Sequence, residues 1–204
     1  MNIIRSTIGI IARLAHIVIN LRTLAILKAP FKVFYFYWIS EEFKACGSNN
    51  YLGGFSKLLG GKYITIGSNM YVGERVVWEV YKIEDTPTLS FGDDSSFGDE
   101  GHITCINNIQ IGNGVRIGRK VFITDNAHGA SERKLLDTPA NKRPMMSKGP
   151  VIIEDNVWIG EMACIMPGVT IGRGSIIAAN SVVTHDIPAY CVAAGIPAKV
   201  VKQL

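Results

Sequence analysis

Aliphatic residues recur at every sixth position over the last third of the chain: Ile153, Ile159, Ile165, Ile171, Ile177 and Val183. Two residues before each of the last five stands a small or β-branched one, Val157, Ala163, Val169, Ser175 and Ser181, and glycine follows the aliphatic at Gly160 and Gly172. A helix repeats about every 3.6 residues and a strand every two, so neither by itself needs a period of six. A coil with three short flat faces per turn does, with the aliphatic of each face pointing inward and the small residue at the tight corner. The same phase runs upstream through Ile66, Val72 and Trp78, then Phe91, Phe97 and Ile103, then Ile111, Ile117 and Ile123. The pattern predicts an all-β fold, a parallel β-helix over residues 62–204. Breaks in the pattern at 79–90, 104–110 and 124–150 each predict a loop leaving the coil. The longest, 124–150, has a length that in compact repeats goes with function or disorder.

Residues 1–48 form a separate N-terminal segment. On a helical wheel Arg5, Ser6, Gly9, Arg13, His16, Asn20 and Thr23 share one narrow stripe, and nearly everything else from Ile3 to Leu27 is apolar. That predicts an amphipathic helix with a wide apolar face. Arg13 and Arg22 leave eight uncharged residues between them, short of the roughly 20 a spanning helix needs. No small-residue cleavage site follows, which disfavours a signal peptide. Two readings stay open for residues 1–28: packing on the coil or a sister chain, or peripheral contact in a membrane interface. Pro30 is expected to end the helix, and the aromatic-rich stretch Phe31 to Trp38 to be extended.

Charge sharpens this division. The net charge of +4 lies wholly in residues 1–48, since residues 49–204 carry fifteen basic and fifteen acidic side chains. No long basic run with interleaved aromatics occurs, so nucleic acid is a poor partner. Cys46, Cys105, Cys164 and Cys191 are widely spaced without a CxxC pair, which argues against a metal cluster or disulfide framework and for a reducing cytoplasm.

Chemistry is sought where loops leave the scaffold. In Thr124-Asp125-Asn126-Ala127-His128-Gly129, His128 stands a few residues past an inward aliphatic. A neutral imidazole there can take a proton from a hydroxyl, and a surface-loop histidine is the equal alternative. Residues just before an inward aliphatic point outward, so Trp158 and Cys164 face solvent or a groove, where a flat ring can wall a ligand or pack on another chain. Ala178 and Ala179 keep one corner slim enough for a ligand to approach the backbone.

The run Gly-Pro-Val-Ile-Ile-Glu-Asp-Asn-Val-Trp-Ile-Gly from Gly149, Pro-Gly-Val-Thr-Ile-Gly from Pro167, Asn-Ser-Val-Val-Thr from Asn180 and Ala-Gly-Ile-Pro-Ala-Lys-Val-Val from Ala194 resembles the hexapeptide-repeat acyltransferases. That superfamily includes galactoside, maltose and serine acetyltransferases. The Asp-Asn-Ala-His-Gly loop is closest to members that O-acetylate sugars or cell-surface polysaccharides. The resemblance implies a left-handed β-helix, a homotrimer, and acetyl-CoA in the groove between neighbouring coils. It implies His128 as the catalytic base, deprotonating an acceptor hydroxyl that attacks the thioester directly. It also implies a corner N–H, that of Glu161, as an oxyanion donor. His102 is read as acceptor-binding or a second proton handler, and Asp125 as a partner of His128 and the acceptor, or else a loop-turn residue. Trp158, Ala179, Pro197, Lys199 and Lys202 are read as cofactor contacts, the lysines with coenzyme A phosphates.

The function so implied is acetyl-CoA-dependent O-acetylation of a sugar or cell-surface glycan by a cytoplasmic enzyme that needs no metal. An N-acetyltransferase on an amino sugar and a non-catalytic scaffold trimer are the alternatives. A γ-type carbonic anhydrase lacks its third metal histidine here, with only His185 left over. The loop 129–149, with Arg133, Lys134, Asp137, Lys142 and Arg143, is expected to shape acceptor choice.

Overall fold

The computed structural model describes residues 2–129 and 132–204; Ala130 and Ser131 of the predicted loop lie outside the described residues. The chain divides into two units, Met1–Ile39 and Ser40–Leu204.

The first unit is helical. Helix α1 spans Asn2–Val18 and α2 spans Leu21–Ser40. A single helix to Leu27 was expected, but Asn20 interrupts it. Its side-chain oxygen accepts from Arg22 N at 3.0 Å and Thr23 N at 3.1 Å, a cap that starts a new helix there. Pro30 was expected to end the helix and the aromatics after it to be extended; instead α2 runs through Pro30. Proline lacks the N–H of one ladder bond and its ring crowds the carbonyl of Ile26, a cost of about 3 kcal/mol, but it does not force the residues after it out of helical backbone.

The second unit is a parallel β-helix. Among the described residues it has three sheets, of six, eight and six strands, whose strands follow one another in turn around the coil. One turn runs Asn108–Ile111, Arg116–Ile117 and Phe122–Thr124; the next runs Val151–Ile153, Trp158–Ile159 and Cys164–Ile165. Stacking is in register, with Ile111 on Ile153, Ile117 on Ile159 and Ile123 on Ile165. All these inward aliphatics are buried, and so are the predicted corner residues Val157, Ala163, Val169, Ser175 and Ser181. Each fully buried aliphatic contributes about 1.5–3 kcal/mol. The buried Ser175 hydroxyl donates to Pro188 O at 2.7 Å and accepts from Cys191 N at 3.1 Å, so its polarity costs little.

The corners explain the rest of the period. Three residues after most inward residues of the first two sheets, and after Ile165 in the third, the backbone takes a left-handed conformation, as at Asp94, Glu100, Gly114, Lys120, Asn156, Met162, Gly168, Gly174 and Asn180. The glycine that follows an aliphatic serves close approach instead. A Cβ on Gly160 would lie 2.5 Å from Ala179 N in the next turn.

Two boundaries differ from the sequence expectation. The coil begins a turn earlier, at Ala45–Cys46, which pairs with Ile64–Ile66. The register slip at 104–110 does not leave the coil: His102–Cys105 and Asn108–Ile111 are longer strands joined by Ile106 and Asn107 alone. The extra residues are absorbed by strand length, and Cys105, Ile106 and Ile109 stay buried.

Candidate active site

The chain leaves the third sheet after Thr124, and its exit is pinned. Asp125 is wholly buried. Its carboxylate accepts from Ile106 N and Asn107 N, both at 2.9 Å, from Cys105 Sγ at 3.3 Å and from Asn126 Nδ2 at 3.1 Å. Burial, then this carboxylate, pushes the Cys105 thiol pKa far up, so that sulfur is no nucleophile. Of the two readings of Asp125, a contact at His128 and the acceptor or a loop-turn role, its saturation by internal donors fits the second: it anchors the loop. Asn126 adds bonds to Thr104 O at 3.1 Å and Thr104 Oγ1 at 3.0 Å. The strand Asn126–His128 then pairs antiparallel with Met145–Ser147, setting His128 opposite Met145. Gly129, with φ of 78°, donates to Pro144 O at 2.8 Å and closes the pair. His128 is thus an exposed imidazole on a braced hairpin. Beside that hairpin is a cavity of about 430 Å³, lined by Ile83, Glu84, Asp85, Ile106 and Asn107 on one side and Pro144 to Ser147 on the other.

His102 lies on the same sheet, in register with Phe122. Its Nε2 is 3.1 Å from Glu79 Oε2, and its ring centroid is 5.2 Å from that of Phe122. Glu79 also accepts from Tyr81 Oη at 2.6 Å and pairs with Lys57. Burial by itself would raise the Glu79 pKa, but the hydrogen bonds from Lys57, Tyr81 and His102 outweigh it and hold the carboxyl down to about 2. Sequence reasoning missed this cluster. Its signal was the alternation Val76-Val77-Trp78-Glu79-Val80-Tyr81, which turns Glu79 and Tyr81 outward on the strand beside His102.

The predicted cofactor residues fall on the second sheet and the corner after it. Trp158, Glu161 and Ala179 line one cavity of about 420 Å³ with Arg116, which the sequence pattern had not singled out. A second cavity, about 360 Å³, shares Arg116 and Glu161 and continues past Arg119 and Asp99. Lys202 pairs with Val192, which pairs with Ile176, which pairs with Trp158, so Lys202 ends the outward row that Trp158 belongs to; Lys199 sits opposite Ala194. Pro197 is in the exposed turn joining those last strands and lines neither cavity.

The corner itself has an unusual electrostatic surface. At the first corner, side chains of each next turn cap the backbone: Asp93 Oδ1 accepts from Ser68 N at 2.7 Å, Asn113 Oδ1 from Asp93 N at 2.8 Å and Asp155 Oδ1 from Asn113 N at 2.8 Å. At the second corner Glu74 caps Gly54 N and Asp99 caps Glu74 N, both at 2.9 Å, and there the capping stops. Among the described residues no side chain accepts from the N–H of Asp99, Arg119 or Glu161. The residues of the following turns are Arg119, Glu161 and Ala179; arginine and alanine carry no acceptor, and the Glu161 carboxylate is not turned to that duty. Asp99, Arg119 and Glu161 line the second cavity and Glu161 the first as well; N–H groups without a side-chain acceptor are donors of the kind that bind carbonyl oxygens or a developing oxyanion.

Known proteins share both the repeat and the fold. Residues 150–185 match the family model for bacterial transferase hexapeptide repeats, six repeats. WbbJ of Escherichia coli (strain K12), provisionally named a lipopolysaccharide biosynthesis O-acetyl transferase, is 39% identical over 118 residues. That match covers 56% of this chain and 60% of WbbJ, so the chain spans less than two thirds of this relative. A galactoside acetyltransferase solved with coenzyme A is 30% identical, with a TM-score of 0.52, over 82% of this chain and 68% of that one. AntD, a Bacillus cereus N-acyltransferase solved with dTDP-4-amino-4,6-dideoxyglucose and coenzyme A, shares the fold at a TM-score of 0.67 and 17% identity, over 82% of this chain and 87% of that one.

Proposed function

The chain belongs to the hexapeptide-repeat acyltransferases, and on that premise we propose that it transfers acetyl from acetyl-CoA to a hydroxyl of a sugar or cell-surface glycan. The observation that carries this reading is the set of N–H groups without a side-chain acceptor at Asp99, Arg119 and Glu161, in two cavities that share Arg116, Gly118 and Glu161, the first of them walled by Trp158. The amide carbonyls of a pantetheine arm are acceptors of the kind such groups bind, and Lys199 and Lys202 offer charge to the phosphates beyond. The left-handed sense of the coil, trimeric assembly and a cytoplasmic location belong to the same proposal.

In the step proposed, neutral His128 takes the proton of the acceptor hydroxyl as its oxygen bonds to the thioester carbonyl carbon. The Glu161 N–H stabilises the oxyanion. The C–S bond then breaks, and coenzyme A leaves as a thiol with the proton that His128 returns. The braced hairpin supports this role, since a base must be held within about 0.5 Å of its working geometry. His102, with Glu79 behind it, is proposed to meet the acceptor from the neighbouring row. The cavity beside the hairpin is of a size for a monosaccharide unit. Glu84 and Asp85 on its wall favour a second reading, N-acetylation of an amino sugar, whose ammonium group they would attract.

Thiol release from acetyl-CoA, measured against a panel of sugars, amino sugars and serine, tests the proposal. Release that requires an acceptor and falls by about 10²-fold or more in His128→Ala is expected. Full turnover in that variant removes the base assignment, and a preference for amino sugars selects the second reading. Absence of acetyl-CoA binding in the intact trimer would leave a scaffold protein.

A further inference from the structure

The unit Met1–Ile39 carries features that acetyl transfer does not use. Its charged side chains, Arg5, Arg13, Arg22, Lys28 and Lys32, are all basic, and the first acid in the chain is Glu41. The apolar arc of α1 is exposed, with Ile4 at 66%, Ile11 at 61% and Val18 at 71% of full accessibility. Helix α2 is apolar apart from Arg22, Thr23, Lys28, Lys32 and its last residue Ser40, exposes Phe31 at 75%, and carries Tyr35-Phe36-Tyr37-Trp38 near its end. Exposed apolar surface on this scale marks an interaction face.

We propose that this unit lies in the headgroup region of an anionic lipid leaflet, with the arc of Ile4, Ile8, Ile11 and Val18 in the acyl boundary and the arginines and lysines on lipid phosphates. Charge decides between occupants. A second copy of the unit would bring its cations, Arg5, Arg13, Arg22 and Lys28 among them, against those of the first, with no acid in residues 1–39 of either copy, whereas an anionic surface attracts them. The tyrosines and tryptophan closing α2 fit the belt that aromatic residues form at the water boundary. No single helix among the described residues is long and apolar enough to cross a membrane, whereas α1 and α2 as a bent pair have the length and composition to do so; Arg13 within α1 and Lys28 and Lys32 in the middle of α2 favour a place in the surface over such a broken span. This inference stands on the first unit alone and holds whether or not the coil is an acetyltransferase.

The test is co-sedimentation of the full chain with two kinds of vesicle. One is phosphatidylcholine; the other contains about one third phosphatidylglycerol. The expected result is pelleting with the anionic vesicles at least tenfold stronger than with the neutral ones, weakening steeply between low salt and about 0.5 M salt. The charge variant Arg5→Gln/Arg13→Gln/Lys28→Gln should lose at least tenfold in binding, and Ile4→Ser/Ile8→Ser/Ile11→Ser should lose all pelleting, both with the oligomer unchanged by light scattering. The salt titration on the unaltered chain stands independently of how the variants fold. Equal binding to both vesicles, or no binding at any salt, overturns the proposal. So does a serine variant that dissociates the oligomer without any vesicle binding by the unaltered chain, which would assign the face to a second copy.

Discussion

Asp125 offers the sharpest test of how the site is built, because two readings of it predict opposite outcomes. Its carboxylate, with no solvent exposure, accepts the N–H groups of Ile106 and Asn107 and the Cys105 thiol. Asp125→Ala leaves these donors without a partner. Asn107 is exposed and regains water, but Ile106 N and Cys105 are buried and do not. At about 1–3 kcal/mol for each buried group left unpaired, the loss comes to about 3 kcal/mol. Urea unfolding should register this as a midpoint lower by about 1–2 M, with unchanged slope. Asp125→Asn keeps one acceptor but turns an amide donor toward another donor, and should lose about half as much. The same variants free the strand that carries His128, so kcat should fall while KM for the acceptor changes little. A residue that touched the acceptor would behave in reverse, raising that KM with stability intact. An Asp125→Ala midpoint within about 0.3 M of the unaltered chain would refute the anchoring role.

Gly160→Ala should destabilise by about 1–3 kcal/mol and raise KM for acetyl-CoA, because the new Cβ meets Ala179 N at 2.5 Å and must push adjacent turns apart at the cofactor corner; a pair of titrations, unfolding and substrate saturation, checks both. Glu79 has a folded pKa of about 2 against an ordinary 4.5, so its contribution is complete above about pH 4.5 and lost as pH falls toward 2. Allowing for solvent around its half-exposed partner Lys57, that is about 1–2 kcal/mol, and Glu79→Gln should remove this share of the acid-side slope in unfolding midpoint against pH. Lys199→Ala with Lys202→Ala should raise KM for acetyl-CoA more than KM for the acceptor; equal effects would exclude a phosphate contact.

Much of the scaffold was legible because one inward residue in six has no alternative to burial. The stacking of Ile153 on Ile171 and Ile159 on Ile177, one three-faced turn apart, follows from the period alone. The first turn was legible too, in Cys46-Gly47 and Leu52-Gly53, but a cysteine in place of an aliphatic weakened the signal. What the period could not convey is how a break is absorbed. At 104–110 two extra residues lengthen strands, whereas at 124–150 the chain leaves, and the difference rests on Asp125, twenty residues from the Cys105 it holds. Contacts of that kind depend on which turn lies above which, so Glu79 beneath His102 and Asp125 beneath Ile106 emerge only in three dimensions. The positions of His128 past the loop exit and of Trp158, Glu161 and Ala179 about the second corner were readable because loop exit and corner position are themselves set by the period. Pro30 misled because proline restricts its own φ and the residue before it, not the conformation of the residues that follow.

The stacked rows also make the coil a ruler. Arg116, Trp158, Ile176, Val192 and Lys202 are successive partners on one face. Four strand spacings of about 4.8 Å set about 19 Å between the first and the last. Adding or removing one whole turn would move Lys202 a single graduation, with every inward residue still inward. A ligand gripped at both ends is therefore measured by counting turns, and its permitted length changes only in steps of one strand spacing.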